Sequence, residues 1–498
     1  MGSHSDAEAR RTIAPRASAC PSDSRRVLHG RRLHPPRRVV RIHVVVQDAL
    51  ELFGDVVAAQ GYGVLAVHVY GRLGLLEGAG KGDPQVGVLR LAGAVHHAPH
   101  HRHLHLFHTR VAVAPHRHLV AQVALDVFGQ LLARTEAIVR ARLREAFPVG
   151  TTRFADTIDT DGHGNGPFTL RLALTRTPGD RFILDATETD DQAVGPVNLL
   201  MHPDVPGMAL GLYFLQGEAG QVLNAGGPRA IDEVRLREGS LLWPRAPAPL
   251  GLRGITMMRL LAALHGLVAV ARQGQAPAAH SAYVILALRG ENAGKRFLMT
   301  DGVAVGYGGR PFADGVDAVY FVAQENYPVE FMELAYPVRL RRYAIHRDSG
   351  GPGRFRGGCG VVREYEVLCD AAQVAIRIDG VVNPPWGVAG GMAAGSGRAV
   401  VNPGTPGERV LPSLSDGTLL RRGDVLRLET GGGGGWGHPF DRPAEQVLAD
   451  VVGGFVTVEA AERDYGVILG DDAATADRRA QRGLTRLFHR RGYVDAVA

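Results

Sequence analysis

Residues 431–441 read GGGGGWGHPFD, five consecutive glycines running into Trp436, His438 and Pro439. What these glycines are for decides how the whole chain is read. A flexible linker continues in Gly and Ser and carries no aromatic residue, whereas this run stops at Trp and Pro. A phosphate loop of the Gly-x4-Gly-Lys-Ser/Thr kind needs a lysine, and none follows. The flanks favour a folded position. DVLRLET (residues 424–430) alternates as a strand, and after the run Asp441 offers an N-cap and Pro443 a first-turn proline for the helical AEQVLADVVGGF. Glycines at such a crossing supply positive φ or close backbone approach. We therefore expect a tight, ordered turn packed near the other glycine-rich segment, Asp348–Gly358, with Trp436 largely buried. A plain β-to-α crossing with Trp436 as a core plug is the competing reading.

Outward from this point the texture is that of a folded body. LLARTEAIVRARLREAF (131–147) has apolar residues at helical spacing with charges opposite. FTLRLALTRTPGDRFILDATET (168–189) is two alternating runs split by Thr-Pro-Gly-Asp, a hairpin signal. MMRLLAALHGLVAVAR (257–272) reads as a largely buried helix. Between about residues 280 and 430, short apolar runs such as YVILALRG and VAIRIDG alternate with glycine-rich turns. Thr457 caps VEAAERDYG, which ends at Gly466, a C′ glycine. The expected class is α+β: a β-rich body with many Gly-rich turns, flanking helices and a helical C-terminal segment. The expected division is 1–125, 126–470 as the main region, and a tail at 471–498.

Charge sets residues 1–125 apart. They hold 16 Lys+Arg against 8 Asp+Glu, while the remaining 40 and 42 nearly cancel. No nucleic-acid partner is expected for the larger part, because its basic and acidic residues balance. Fourteen of the 21 histidines fall before residue 126, nine of them between His96 and His118, yet Leu89–Leu125 contains no Asp or Glu. Three readings stay open for this segment: a reading frame other than the natural one, a poorly ordered extension that adds little to the core, or a metal-binding tract. Three cysteines (Cys20, Cys359, Cys369) at unrelated spacings argue against a disulfide framework or zinc site. With no apolar leader at the start and no run of about eighteen apolar residues, no membrane partner is expected, and the expected location is cytoplasmic.

Six segments carry a resemblance. They are DQAVGPVN (191–198), LNAGGPRAIDEV (223–234), VAVGYGGRPFADGVDAVYF (303–321), the long stretch from Pro328 to Leu368 containing DSGGPGRFRGG, NPPWGVAGG (383–391) and the glycine run itself. In this order they resemble the hydantoinase B / 5-oxoprolinase family over about residues 130–470. The resemblance implies the B-type subunit of an ATP-dependent hydrolase that opens cyclic amides such as 5-oxoproline or N-methylhydantoin. An A-type subunit would supply the ATPase, so ATP enters through the partner, and a divalent metal is a candidate cofactor with no ligands assigned here. Ketone substrates, in the carboxylase branch, are one alternative; a non-catalytic remnant acting as a scaffold is another. One departure stands out. The Asn-Asp-Pro…Gly-Gly-x-His…Asp segment that family members carry towards the amino terminus has no counterpart in residues 1–125. The chain alone is expected to turn over no ATP.

Opening a lactam needs carbonyl polarisation, a positioned water and a base. The candidates for that work are Asp348 and Ser349 in a glycine-rich turn, His438 after the glycine run, and Glu330, three residues from Glu333. Arg354 and Arg356 could hold an anion bidentately, with Gly350, Gly351, Gly433 and Gly434 giving backbone access. Against this stand structural readings: an Arg–Asp turn lock, a His serving only as a hydrogen-bond partner, and an ion pair of the glutamates with Arg339 or Arg341. Cys359, in GGCG, lacks a paired base and reads as a small packed residue.

Overall fold

The computed structural model describes residues 87–94, 106–113, 117–215, 223–282, 284–320, 328–483 and 485–490. The chain divides into two compact units, Met1–Val113 and Ala114–Ala498. In the first, β1 (Gly87–Ala94) and β2 (Leu106–Val113) pair antiparallel. The expectations for residues 1–125 as a loose segment and for the histidine tract as a metal site otherwise lie outside the described residues.

The second unit begins with α1 (Arg117–Ala146), which contains the expected 131–147 helix. Next come β3 (Gly150–Ile158), β4 (Phe168–Arg176), β5 (Phe182–Asp185), α2 (Asp204–Leu215), β6 (Glu233–Arg235) and α3 (Arg253–Ala271). The sheet order is β3-β4-β5-β6, with β5 and β6 parallel and the other pairs antiparallel. The β4–β5 hairpin turns on Thr177–Asp180, where Asp180 adopts φ 61° and its N–H donates to the Thr177 carbonyl at 2.9 Å. By length and composition α3 could cross a membrane. Twelve of its residues are nevertheless buried, and it packs on β3 and β4 as a core helix.

The β-rich body follows. Its elements are β7 (Val284–Asn292), β8 (Lys295–Val303), α4 (Val329–Ala335), β9 (Val338–Ile345), β10 (Val361–Val367), β11 (Ala371–Arg377), β12 (Gly387–Val388), β13 (Arg398–Val401), β14 (Arg409–Leu411), β15 (Leu414–Arg421) and β16 (Val425–Glu429). They form two antiparallel sheets, β15-β11-β7-β8 and β14-β13-β16-β10-β9. Inward residues of both sheets, among them Leu286, Val374, Tyr365 and Leu428, share one buried apolar cluster. The chain ends with α5 (Ala444–Val452), α6 (Val458–Tyr465), α7 (Asp472–Ala480) and β17 (Phe488–His489), which pairs with β12. The stretch 471–498, set apart in the sequence as a tail, therefore carries a helix and a strand. The layers are joined by buried polar contacts. Arg259 of α3 donates to Asp379 at 2.6 Å, and Asp159, just past β3, accepts from the backbone N–H groups of Val381, Val382 and Asn383.

Two helix boundaries show what the local signals meant. Thr457 caps α6 through a bond from the Ala460 N–H at 3.2 Å, and Gly466 closes it at φ 63°, as the sequence indicated. Asp441 does not cap α5. It ends a 3-10 turn over Pro439–Asp441 and pairs with Arg482 at 2.6 Å, leaving Pro443 at the N-cap.

The glycine run is buried throughout, and it is an extended passage, not a turn. None of Gly431–Gly435 has a positive φ; Gly437 does, at 71°. Their glycine identity answers to close approach alone. A Cβ at Gly432, Gly433, Gly434 or Gly435 would fall inside 3.0 Å of backbone at Ser349, Tyr307, Trp386 or Pro352 respectively. The approach is mutual, since a Cβ at Gly357 would strike the Gly433 carbonyl and one at Gly351 the Gly435 nitrogen. Hydrogen bonds hold the stack: Gly351 N–H to Gly433 O at 2.8 Å, Gly433 N–H to Gly358 O at 2.9 Å, and Gly309 N–H to Gly434 O at 2.8 Å. The expected proximity to Asp348–Gly358 is thus present. Trp436 departs from expectation: it is half-buried, with its indole N–H on the Gly274 carbonyl at 2.8 Å. The fully buried indole of this region is that of Trp386.

Gly433→Ala would place a methyl into backbone that cannot yield. We expect it to cost more than about 4 kcal/mol or to abolish soluble folding, since strain of this kind lies in the extreme class of single substitutions. Gly129→Ala is the control. Gly129 sits within α1 with nothing near its Cβ position, so the change should stabilise by about 0.5–1 kcal/mol. Urea denaturation of both variants checks the pair.

Candidate functional site

The stack brings the sequence-selected segments together, but it consumes most of their side chains. Asp348, at φ 59°, accepts from the N–H and Oγ1 of Thr457, both at 2.8 Å, and so ties the turn to the start of α6. Ser349 is buried; its Oγ donates to the His346 carbonyl at 2.6 Å and accepts from the Gly360 N–H at 2.9 Å. Gly350 and Gly351 are packing glycines of the stack, as are Gly433 and Gly434. Arg356 is buried and committed to protein partners: Asp317 at 2.9 Å, the Gly357 carbonyl at 2.7 Å and the Phe455 ring at 4.8 Å. These carboxylate and ring contacts occupy the guanidinium that the sequence suggested for an anion. Arg354 is exposed, with its guanidinium 5.6 Å from the Phe355 ring centre. Glu330 is exposed on the short α4, and Glu333 accepts from the Leu340 N–H of β9 at 2.8 Å. Burial pushes the Cys359 thiol up, in keeping with a packed residue and not a nucleophile.

A buried polar knot lies around Arg356. Arg442 pairs with Asp314 at 2.7 Å and with Asp450 at 2.8 Å, and Asp450 lies 3.6 Å from Arg356. Asp317 also accepts from the Cys359 N–H at 2.6 Å. Removing one partner from such a group leaves a charge uncompensated in the interior. The knot therefore fixes α5, through Asp450, against the segment of Arg356.

The groups still suited to chemistry form a row that the sequence did not single out. Tyr213 (α2), His265 (α3), His280 and Tyr307 stand ring beside ring, with centroid separations of 5.3, 6.1 and 5.4 Å. All four residues keep part of their surface accessible. The glycine stack sets the second half of this row. Gly434 N–H donates to Ala279 O at 2.8 Å, Ser281 N–H to Gly306 O at 3.2 Å, and Gly358 N–H to Tyr307 O at 2.8 Å. The apolar packing around the histidines disfavours the imidazolium. Desolvation brings His265 down to about 4; desolvation, with His265 and Arg259 adding to it, brings His280 down to about 3. Burial raises both Tyr213 and Tyr307, so the phenols remain O–H donors. Near neutral pH the row thus offers two uncharged imidazoles that can accept a hydrogen bond and two hydroxyls that can polarise a carbonyl oxygen. The sequence signal for it was His265, a titratable residue among the apolar positions of a largely buried helix.

The fit to an added group is limited. Among the described residues no three His, Cys, Asp or Glu side chains converge to hold a metal. His265 and His280 would give two nitrogen ligands, so no step is assigned to a metal here. Nor can the glycine run cradle phosphate. The N–H groups of Gly432, Gly433, Gly434 and Gly435 donate to the carbonyls of Gly395, Gly358, Ala279 and Met392.

The histidine row has a stability consequence. Both folded-state values lie below that of an exposed imidazole, so the unfolded chain binds protons first as pH falls. The stabilising contribution is complete above about pH 6.5 and is lost on descending through about pH 4 and then 3. We expect stability to fall over that window by about 1 kcal/mol per pH unit for each histidine. Urea titrations from pH 7 to 4 should show a shallower fall in His265→Gln and His280→Gln than in the parent chain.

A family model described as hydantoinase B/oxoprolinase matches residues 116–439. A Pseudomonas sp. (strain NS671) protein that carries the name of the B-type subunit of a D-/L-hydantoinase is 34% identical over 190 residues, which is 38% of this chain and 32% of that protein. The beta subunit of the Pseudomonas jessenii caprolactamase is 29% identical over 401 residues, 73% of this chain and 66% of the relative. The matched part spans about a third of the first relative and just under two thirds of the second. Among solved structures, nucleotide-free acetone carboxylase superposes with a TM-score of 0.62 at 20% identity, over 70% of this chain and 54% of that one. The ATP-dependent caprolactamase of Pseudomonas jessenii gives 0.59 at 24% identity, over 74% and 67%. These two likenesses establish a shared fold. With nearly two thirds of its length matched by the family model, the chain belongs to the hydantoinase B/oxoprolinase family.

Proposed function

We propose that this chain is the B-type component of an ATP-dependent enzyme that hydrolyses a cyclic amide of the 5-oxoproline or N-methylhydantoin kind, and that an A-type ATPase subunit is its partner. The observation that carries the reading is the row Tyr213–His265–His280–Tyr307 within the family match, its His280–Tyr307 half held by the glycine segments. ATP, brought by the partner, supplies the driving force for opening an unactivated amide. This chain's own residues would do the rest. A tyrosine O–H donates to the amide oxygen, and a neutral imidazole accepts a hydrogen bond from the attacking water and orients it. The water's proton passes to the departing ring nitrogen, so water adds across the C–N bond to leave a carboxylate and an amine.

A second reading has its own support. The acetone carboxylase alpha subunit of Xanthobacter autotrophicus is 27% identical over 202 residues, covering 32% of this chain and 26% of that one. A ketone is the corresponding substrate class, and the same tyrosine donors would polarise its oxygen.

The test mixes the purified chain with a family A-type subunit and ATP. Phosphate release and ring opening are followed with 5-oxoproline, N-methylhydantoin and caprolactam, and carboxylation with acetone and bicarbonate. The chain alone should release no phosphate from ATP. The complex should open a lactam, and His280→Gln should lower kcat by about 100-fold, the scale of a misplaced nucleophile, while still binding the partner. Turnover of acetone alone would establish the carboxylase reading. A complex that forms but turns over neither class would make this chain a scaffold.

A further inference from the structure

A second cavity lies at the far end of the glycine run, and it shares no residue with the ring row. It encloses about 480 Å³, and its polar wall is made by His438, His489, Arg463, Arg478, Gln481 and Arg486 over a floor that includes Met392 and Phe440. That volume is within the roughly 300–1,000 Å³ of small-molecule sites. We infer that this cavity binds a small organic molecule through an oxyanion head, a carboxylate or a phosphate, with its apolar part on the Met392–Phe440 floor.

The fold fixes the donors. His438 Nδ1 accepts the Phe440 N–H at 3.1 Å, and His489 Nδ1 accepts the Ala393 N–H at 3.0 Å. A neutral imidazole that accepts at Nδ1 carries its proton on Nε2, so both rings are Nε2–H donors. Asp464 is the one carboxylate among the lining residues, and Arg463 holds both of its oxygens, at 2.9 and 2.6 Å. With that acceptor engaged, the wall presents the Nε2–H of His438 and the positive charge of the exposed Arg478. Such a wall favours an anion over a cation or a neutral acceptor-poor group. Structure on three sides frames it: the 3-10 turn that His438 caps, the α6–α7 pair, and β17 on β12. Gly390, at φ 93°, brings the chain against the His438 backbone where a Cβ would crowd it. The assignment is independent of the lactam reading, because it requires neither ATP nor a partner subunit.

Isothermal titration calorimetry of the full chain with inorganic phosphate, and separately with acetate, against chloride at matched ionic strength tests it. Saturable binding of one or both anions is expected, and the tighter of the two identifies the head group. Arg478→Gln should weaken that binding about tenfold, the scale of one charge-assisted hydrogen bond. His438→Asn should do the same, since asparagine keeps the N-cap acceptor and removes the Nε2–H. Arg296→Gln, an exposed arginine on β8, should leave affinity within about twofold. The inference is overturned if neither anion saturates, if Arg478→Gln leaves affinity unchanged, or if Arg296→Gln weakens binding equally. Should His438→Asn fail to fold, Arg478→Gln decides alone.

Discussion

Backbone-to-backbone contact in the centre of the second unit is the constraint on which the rest depends. Where Gly431–Gly435 cross Gly350–Gly358 and Tyr307–Gly309, the chains lie too close for a single methyl group. Such packing gives up side-chain burial and loses the conformational entropy that glycine carries in the unfolded chain. In exchange the crossing segments can hydrogen-bond to neighbours on more than one side, and loops distant in sequence are placed to within the tolerance of a hydrogen bond. The segments that flank the stack inherit that precision: the 278–281 stretch with His280, the segment with Tyr307, and the turn with Asp348.

The environment of the ring row follows from what surrounds the stack. On one side stands α3, apolar along nearly its whole length, and on the other the glycine backbones, which have no side chains to solvate anything. Imidazoles placed there lose water without gaining an acid partner, so the charged form is the one penalised. His438, by contrast, sits where the run emerges towards solvent, beside Arg482 and Asp441. Desolvation leads the shift at all three histidines, and at His438 it acts between charged neighbours, Arg482 and Asp441.

Arginine is divided in the same way. With lysine nearly absent, the fold uses guanidinium groups for both surface and interior. Arg259, Arg356, Arg363 and Arg442 are buried and paired with Asp379, Asp317, Asp301 and Asp314, and they act as fasteners between layers. A buried pair of this sort specifies geometry more than it adds stability. It also removes those cations from any role with a ligand, which leaves the exposed arginines of α7 and its surroundings to meet one.

Local signals in the sequence determined a good deal. Helical spacing located the 131–147 and 257–272 helices, Thr-Pro-Gly-Asp located a hairpin, and Thr457 with Gly466 bounded α6, because each depends on contacts a few residues apart. The glycine run was legible as folded and as a neighbour of Asp348–Gly358, and the DSGG and GGGGGWG segments carried the family. What those glycines do was decided by tertiary structure: they relieve contact and not torsion, a distinction visible only when the opposing backbone is present. The same holds for Trp386, buried in place of Trp436, and for Asp348 and Arg356, whose carboxylate or hydroxyl partners Thr457 and Asp317 lie 109 and 39 residues away. The ring row was hidden for the same reason. Tyr213, His265, His280 and Tyr307 have no spacing in common, and only the packing of α2 on α3 and the bonds of the glycine stack to the segments of His280 and Tyr307 make them neighbours.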